Sequence, residues 1–303
     1  MAGPGCVFGS ECGAQYGWRA SFGRCPWCQR ARGIATGDDY RGTVCVWRRD
    51  IHEAGFLKLA AICLQLDVGN SGAKWRLLID GQVIARGKYV SGDEASRQLL
   101  LNCTVQLEQI WISSVAGPAA QSELAALLLA QWGVEPWVAR TGARTGSLVN
   151  SYHDPTRMGV DRWLAMLAGR QREAGRICVV DAGSALTIDI VGESGQHEGG
   201  YIIPGPVLME RALLLDTDRV RFDEEVGYAL SPGLSTAEAV RHGIALAQVG
   251  AVALAIDCGG GQAMQLLFCG GGGEALMQLL DRGGSYVPDL VFEGLGVMAA
   301  CSG

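Results

Sequence analysis

Two short acidic segments of the sequence have the residue types that hold phosphate groups. Residues 67–71 read DVGNS and residues 181–184 read DAGS, so each has a carboxylate, then a glycine, then polar side chains. Glycine permits a sharp turn whose backbone N–H groups bind phosphate oxygens, and a nearby carboxylate serves the cation that balances the phosphate charge. One such segment is weak evidence, because many hairpins contain one. Two such segments, each following an apolar strand, favour a nucleotide-binding site to which both segments contribute.

The elements around the two segments repeat. An apolar strand at residues 62–66 precedes the first segment, and strands at 74–79 and 82–90 follow it, joined by an Asp-Gly turn. A strand at residues 177–180 precedes the second segment, and strands at 185–191 and 197–203 follow it. Predicted helices at 91–107 and 119–133, with a strand at 109–113 between them, continue the first unit. The pattern predicts a duplicated α/β unit, with two similar domains facing each other.

Two further features lie at predicted helix starts. Apolar residues recur at helical spacing from Val160 to Ala168, which predicts a helix beginning near Asp161. The helix N-terminus would favour the ionised carboxylate by up to about 1 kcal/mol, although many helices simply begin with aspartate. The glycine-rich segment 269–273 links a predicted strand at 266–268 to another helix. It would let a base or phosphate approach the backbone, but a flexible loop fits equally well.

Composition excludes several classes of function. The chain has 303 residues, a net charge of −6 and 49% hydrophobic residues, enough for two modest domains with a buried core. Its mild acidity argues against non-specific nucleic-acid binding, and no apolar run reaches the roughly 20 residues of a membrane helix. The best membrane candidate, residues 243–256, is interpreted as a buried helix of a soluble protein. No P-loop, dinucleotide fingerprint or Ser-His-Asp arrangement is present, and the histidines are too dispersed for a metal site.

The first 58 residues differ from the rest of the chain. They contain five of the eleven cysteines, carry net positive charge and lack a hydrophobic period. Cys25 and Cys28 form a CxxC pair that Cys6 and Cys12 could complete as a zinc site, but the spacing of the latter two is unusual for one. We expect a poorly ordered extension without a secretory signal. The other six cysteines are typical of small buried side chains in a reducing compartment, which predicts a cytoplasmic protein.

Five segments together resemble the sequence motifs of type III pantothenate kinases. The resemblance covers about residues 60–298, and its segments occur in the family's order. They are DVGNSGAK at 67–74, YHDPTRMGVDRW at 152–163, GGYIIPG at 199–205, STAEA at 235–239 and VPDLVFEGL at 287–295.

The resemblance implies a fold and an activity. The family has the actin-like and sugar-kinase (ASKHA) fold, in which two ribonuclease-H-like domains enclose an ATP cleft. We therefore expect an N-terminal extension at 1–58, a first domain at 59–172 and a second at 173–303. The implied reaction is ATP-dependent phosphorylation of pantothenate to 4′-phosphopantothenate, the first step of coenzyme A synthesis. The family also implies Mg²⁺, a monovalent cation (K⁺ or NH₄⁺) and a homodimer. From the charge and hydropathy described above, we expect neither nucleic-acid nor membrane partners.

The resemblance assigns roles to individual residues. Asp161 corresponds to the general base, Asp181 to a ligand of the monovalent cation, and Asp67 to a carboxylate that acts on Mg²⁺ through water. The residues that bind ATP and its phosphates are Asp67, Val68, Gly69, Asn70, Ser71, Gly72, Ala73, Lys74 and Ser184. The residues that bind the acceptor are Tyr152, Gly159, Val160, Asp161, Arg162 and Thr236, with Arg162 contacting the anionic substrate.

Several alternatives remain open from the sequence. Tyr152 could be a partly buried aromatic residue, Arg162 a solvated helix residue, and Thr236 part of a helix cap that begins at Ser235. The family usually has Thr-Gly-Gly-Asp where this chain has Cys269 and four glycines, which puts adenine binding in doubt. The competing functions are another phosphotransferase of the same fold and a non-catalytic, ATP-binding regulator of transcription. The intact Asp161 argues against the regulator.

Overall fold

The computed structural model of the protein describes residues 62–70, 72–104, 106–259 and 263–302. The chain divides into two units between residues 54 and 55, and every described residue belongs to the second unit. The extension predicted at residues 1–58, with the cysteines at 6, 12, 25 and 28, therefore lies outside the described residues.

Five strands of the first half form one sheet in the order β3-β2-β1-β4-β5. The strands are β1 (Ile62–Gly69), β2 (Gly72–Ile79), β3 (Gln82–Tyr89), β4 (Gln109–Ser114) and β5 (Trp137–Val138). Strand β1 is antiparallel to β2 and parallel to β4. The β2–β3 turn has positive φ at both Asp80 and Gly81, the geometry that Asp-Gly hairpin turns favour. The predicted hairpin is therefore confirmed.

Three helices accompany this sheet: α1 (Glu94–Leu101), α2 (Pro118–Trp132) and α3 (Val160–Arg172). The first is shorter than the predicted 91–107. It begins only after Asp93, whose side chain accepts hydrogen bonds from the N–H groups of Ala95 and Ser96, and it ends at Leu101. Helix α2 ends at Gly133, which adopts the left-handed conformation typical of a helix end. Between α2 and α3 lie β6 (Arg144–Thr145), β7 (Leu148–Val149) and a 3₁₀ turn (Pro155–Arg157).

Five strands of the second half form a sheet with the same order, β10-β9-β8-β11-β12. They are β8 (Ile177–Ala182), β9 (Ala185–Val191), β10 (His197–Pro204), β11 (Gln265–Cys269) and β12 (Ser285–Tyr286). As in the first sheet, the first strand is antiparallel to the second and parallel to the fourth. This repeated order is that of ribonuclease-H-like domains, so the predicted duplicated α/β fold is confirmed.

Four helices complete the second half: α4 (Pro206–Asp216), α5 (Thr236–Cys258), α6 (Gly273–Leu280) and α7 (Leu290–Ser302). The predicted buried helix at 243–256 is part of α5. In an apolar stretch of 18 residues within this helix, only 28% is buried, so the prediction of burial is wrong. Leu246 and Leu254 are more than 60% exposed. By length and composition alone α5 could cross a membrane, a test that core helices of soluble proteins also pass.

The packing of α3 against α7 connects the two sheets. One apolar cluster contains Cys63 and Trp111 of the first sheet, Val179 and Leu267 of the second, and the buried faces of both helices. A Cβ atom added to Gly294 of α7 would overlap the backbone carbonyl of Leu164 in α3, so the two helix backbones are in direct contact. Helix α3, which begins next to Asp161, is thereby fixed between the two halves.

Candidate active site

A cavity of about 370 Å³ lies where the β1–β2 and β8–β9 hairpins, the start of α3 and the end of β11 meet. Its walls include Asp67, Lys74, Asp161, Asp181 and Ser184. The two acidic segments therefore contribute to one cavity, and the carboxylate at the start of α3 lies in the same space.

The first hairpin places an acid and a base opposite each other. In the register of β1 and β2, Asp67 is the partner of Lys74. The Ser113 hydroxyl at the end of β4 donates a hydrogen bond of 3.1 Å to Asp67 Oδ1. Burial and the negative charge of Asp161 together raise the pKa of Asp67 to about 6, against the opposing effects of the Ser113 hydrogen bond and Lys74.

The second hairpin contributes Asp181. Burial, together with the charges of Asp161 and Asp67, raises the pKa of this carboxyl to about 7. A hydrogen bond from Cys269 and the charge of Lys74 favour the ionised form. The three carboxylates therefore repel one another at neutral pH, and the cavity carries negative charge that the protein itself compensates only in part.

Asp161 lies in the first turn of α3. Its Oδ1 accepts a 2.8 Å hydrogen bond from the backbone N–H of Arg162. Gly159 precedes the helix, and a Cβ atom there would lie 2.6 Å from the same oxygen, so the absence of a side chain gives the carboxylate room. Burial raises the pKa of Asp161, while the Arg162 N–H and side chain lower it. A partly desolvated carboxylate with a raised pKa suits proton transfer as a general base.

Comparison with known proteins identifies the family. The sequence profile of the Type III pantothenate kinase family matches residues 63–257. The type III pantothenate kinase of Ectopseudomonas mendocina is 37% identical over 248 residues, covering 79% of this chain and 99% of that protein. That of Hahella chejuensis is 36% identical over 237 residues, covering 78% and 96%. The chain belongs to the type III pantothenate kinase family.

A solved structure supports the same fold. The crystal structure of a Campylobacter jejuni protein assigned to the Baf family of transcriptional activators aligns with a TM-score of 0.51 and 24% sequence identity. The alignment covers 78% of this chain and 96% of that one. At this identity the likeness shows the fold alone.

Most of the residues that the sequence assigned to phosphate binding and catalysis line the cavity. Those lining it are Asp67, Gly69, Asn70, Gly72, Ala73, Lys74, Asp161, Asp181 and Ser184. Val68 is buried on the other side of β1, and Ser71 lies outside the described residues. The remaining acceptor-site residues do not line the cavity: Tyr152, Gly159, Val160, Arg162 and Thr236.

Two of those residues lie outside the cavity wall of a single copy of the chain, and their roles towards the acceptor stay predictions. Arg162 is not a solvated helix residue, because it is only 5% exposed and makes an ion pair with Asp189. Thr236 is exposed at the start of α5 and does not line the cavity. The alternative interpretation of this segment as a cap is confirmed, since the Ser235 hydroxyl accepts a hydrogen bond from the Glu238 N–H.

Sequence reasoning missed several cavity residues. Lys88 of β3 lies directly across from Lys74, and Thr187 and Phe292 also line the walls. The Asp-Gly turn alone does not predict this pair, because a register shift between Leu77 and Leu78 brings Lys88, and not Gly87, opposite Lys74. Two lysines directly opposite each other repel, and an anion between them would relieve that repulsion.

The donor set of the cavity fits cations that are bound together with phosphates. In the part of the chain that the structure describes, no group of three or more potential ligands has the geometry of a metal cage. Mg²⁺ in kinases is usually held by one or two carboxylates, waters and substrate phosphates, which requires no such cage. Burial and mutual repulsion raise the pKa values of Asp67 and Asp181, so a cation bound beside them would favour their ionised forms.

The raised pKa of Asp181 predicts a stability that falls as the pH rises. Its folded-state pKa of about 7 exceeds the ordinary aspartate pKa of 3.8, so the folded protein retains a proton that the unfolded chain has lost between these two pH values. Without ligands, Asp181→Asn should therefore raise the melting temperature at pH 8 by several degrees. The difference from wild type should shrink towards pH 5.

Thermal unfolding in buffer without potassium or divalent cations measures this effect. Asp154→Asn is the control, because Asp154 is exposed and hydrogen bonds with Thr156 lower the pKa of its carboxyl. A melting temperature of Asp181→Asn that is below wild type at pH 8, or a difference independent of pH, would contradict the assignment.

Proposed function

We propose that this protein transfers the γ-phosphoryl group of ATP to the primary hydroxyl of pantothenate, giving 4′-phosphopantothenate and ADP. Membership of the type III pantothenate kinase family supports the activity. The observation that carries the proposal is the position of Asp161, whose carboxylate lines the same cavity as both phosphate-binding hairpins. A base there can meet an alcohol next to a bound triphosphate.

The chemistry follows from these positions. Asp161 accepts the proton of the acceptor hydroxyl as its oxygen attacks the γ-phosphorus, and the bond from that phosphorus to the β–γ bridging oxygen breaks. ADP leaves with the electrons of that bond. Lys74 and Lys88 balance the phosphate charge on one wall, while the turn at Ser184 offers a hydroxyl and backbone N–H groups on the other.

Two cations belong to the proposal. Asp67 acts on Mg²⁺ through water, and Asp181 serves the monovalent cation, K⁺ or NH₄⁺. When bound, these ions supply positive charge that neutralises the phosphates and the acidic cavity. Gly159, Val160 and Arg162 form the acceptor side, because they adjoin Asp161 along the chain. Tyr152 belongs to the same side, because its hydroxyl accepts a hydrogen bond from Arg162.

The assembly and location of the enzyme complete the proposal. We propose a cytoplasmic homodimer with the domain boundaries at 58 and 172 that the sequence predicts. Exposed apolar side chains on the second half support association of two copies, since burying such a patch is favourable. They are Tyr201, Ile202, Val207, Leu208, Leu215, Leu246 and Leu254.

An ADP-release assay on the full chain tests the function. With ATP, Mg²⁺ and K⁺, ADP should form only when pantothenate is present, and omitting K⁺ or chelating Mg²⁺ should reduce the rate strongly. Light scattering in the same buffer should give twice the 32.0 kDa mass of one chain. ADP release with another alcohol but not with pantothenate would assign the protein to a different phosphotransferase activity of the same fold.

A further inference from the structure

A buried polar network lies directly behind the start of α3. Arg162 donates two parallel hydrogen bonds to Asp189 of β9, from Nε to Oδ2 at 2.9 Å and from Nη2 to Oδ1 at 2.5 Å. Asp189 is 1% exposed and Arg162 5% exposed. A bidentate interaction of this kind fixes the plane of the guanidinium group as well as its position.

His197 of β10 extends the network. Its Nε2 is 3.0 Å from Asp189 Oδ1, and its Nδ1 is 2.8 Å from the Ser151 hydroxyl oxygen. A neutral imidazole that donates from Nε2 to Asp189 and accepts from Ser151 at Nδ1 satisfies every one of these atoms. Because His197 is also 1% exposed, its contact holds Asp189 in one orientation.

The other edge of Arg162 is directed towards the acceptor side. Its Nη1 donates a 2.8 Å hydrogen bond to the Tyr152 hydroxyl, and its guanidinium carbon lies 5.7 Å from the centre of that ring. The hydrogen bonds to described residues use three of the five guanidinium N–H groups. One N–H group on Nη1 and one on Nη2 make no hydrogen bond to the described residues.

The backbone of β10 is shaped to this network. A Cβ atom on Gly200 would overlap Asp189 Oδ1 and would lie 2.7 Å from Arg162 Nη2. Any side chain at position 200 would therefore displace the Arg162–Asp189 ion pair. Strand β10 thus contributes His197, which orients Asp189, and Gly200, which leaves space for the Arg162 side chain.

We propose that Asp189, oriented by His197, is a positioning residue that holds Arg162 and Tyr152 in the geometry needed to bind the acceptor alcohol. This inference rests on the proposed function. Asp189 compensates the charge of the buried Arg162, so the guanidinium keeps a fixed orientation and loses little entropy when the acceptor binds. Asp189 itself touches neither substrate nor the reacting atoms.

Steady-state kinetics of four full-chain variants test the inference: Asp189→Asn, His197→Gln, His197→Leu and Glu198→Gln. Asp189→Asn should raise the KM for pantothenate at least about 10-fold, with kcat and the KM for ATP within about 3-fold of wild type. His197→Gln keeps an N–H donor near the Nε2 position and should stay closer to wild type than His197→Leu. Glu198→Gln is the control, because it removes a partly exposed ion pair with Arg176 at the neighbouring position of β10.

The outcomes separate this inference from the function itself. Pantothenate affinity from calorimetry should fall in parallel with the rise in KM. Unchanged pantothenate KM in Asp189→Asn, or equal loss of kcat and of both substrate affinities, overturns the positioning role. If Asp189→Asn does not fold, the comparison of His197→Gln with His197→Leu tests the inference instead. Equal pantothenate KM values for these two variants overturn the positioning role. A wild-type protein that is inactive on pantothenate overturns the proposed function and this inference with it.

Discussion

Asp161→Asn is expected to lower kcat at least about 100-fold while leaving the fold and nucleotide affinity close to wild type. Asparagine has almost the same shape and can still accept the hydrogen bond from the Arg162 N–H, but it cannot take the proton of the acceptor hydroxyl. The loss should therefore appear in kcat and not in the KM for ATP. Initial rates of ADP release with pantothenate measure it.

The matched control for this variant is Asp154→Asn. Asp154 is an exposed carboxylate in the loop before α3, and its cap of the 3₁₀ turn survives as asparagine. Its rate should stay within about 2-fold of wild type, as is usual for surface changes. A near-normal kcat for Asp161→Asn, in a protein with an unchanged melting temperature, would show that Asp161 is not the base.

Gly294→Ala is expected to destabilise the protein by about 3 kcal/mol or more, the upper range for overpacking a core. The added methyl group would overlap the Leu164 carbonyl, and backbone cannot move aside as a side chain can. Helix α7 would have to shift away from α3, which would open the apolar cluster between the two sheets. Urea or thermal unfolding monitored by circular dichroism measures the loss.

Gly296→Ala in the same helix provides the comparison. A Cβ atom there would lie 3.7 Å from Gln65 Nε2 and 4.0 Å from the Trp111 ring, both ordinary contact distances. Alanine in place of a helical glycine should be neutral or stabilising by up to about 1 kcal/mol. Equal stability of the two variants would mean that α3 and α7 are not in backbone contact.

Much of the fold could be predicted from the sequence because its signals are local. The Asp-Gly turn, the alternation of the strands and the helical spacing after Asp161 each depend on neighbouring residues. The two hairpins with Asp67 and Asp181 were therefore predictable, as was their meeting in one cavity once the duplication was recognised. The length of α1 was overestimated at both ends. The cap at Asp93 starts the helix three residues after the predicted 91, and the helix ends at Leu101, six residues before the predicted 107.

The partners of Arg162 could not be predicted in the same way. Asp189 and His197 belong to strands that come together with α3 only in the folded chain, and no local pattern marks them. A lone charged residue inside a buried strand such as β9 was the available signal, because buried carboxylates are usually paired. The exposure of α5 was missed for a related reason: an apolar sequence does not say what covers it.

The contact between α3 and α7 has a consequence for how the enzyme turns over. Helix α3 is packed by both halves of the molecule, whereas the two hairpins extend from separate sheets. A rotation of one sheet relative to the other would move the hairpins apart, while the packing by both halves would restrain the start of α3. Asp161 would then stay in place during product release, and the next acceptor molecule would meet a base that does not need to be reassembled.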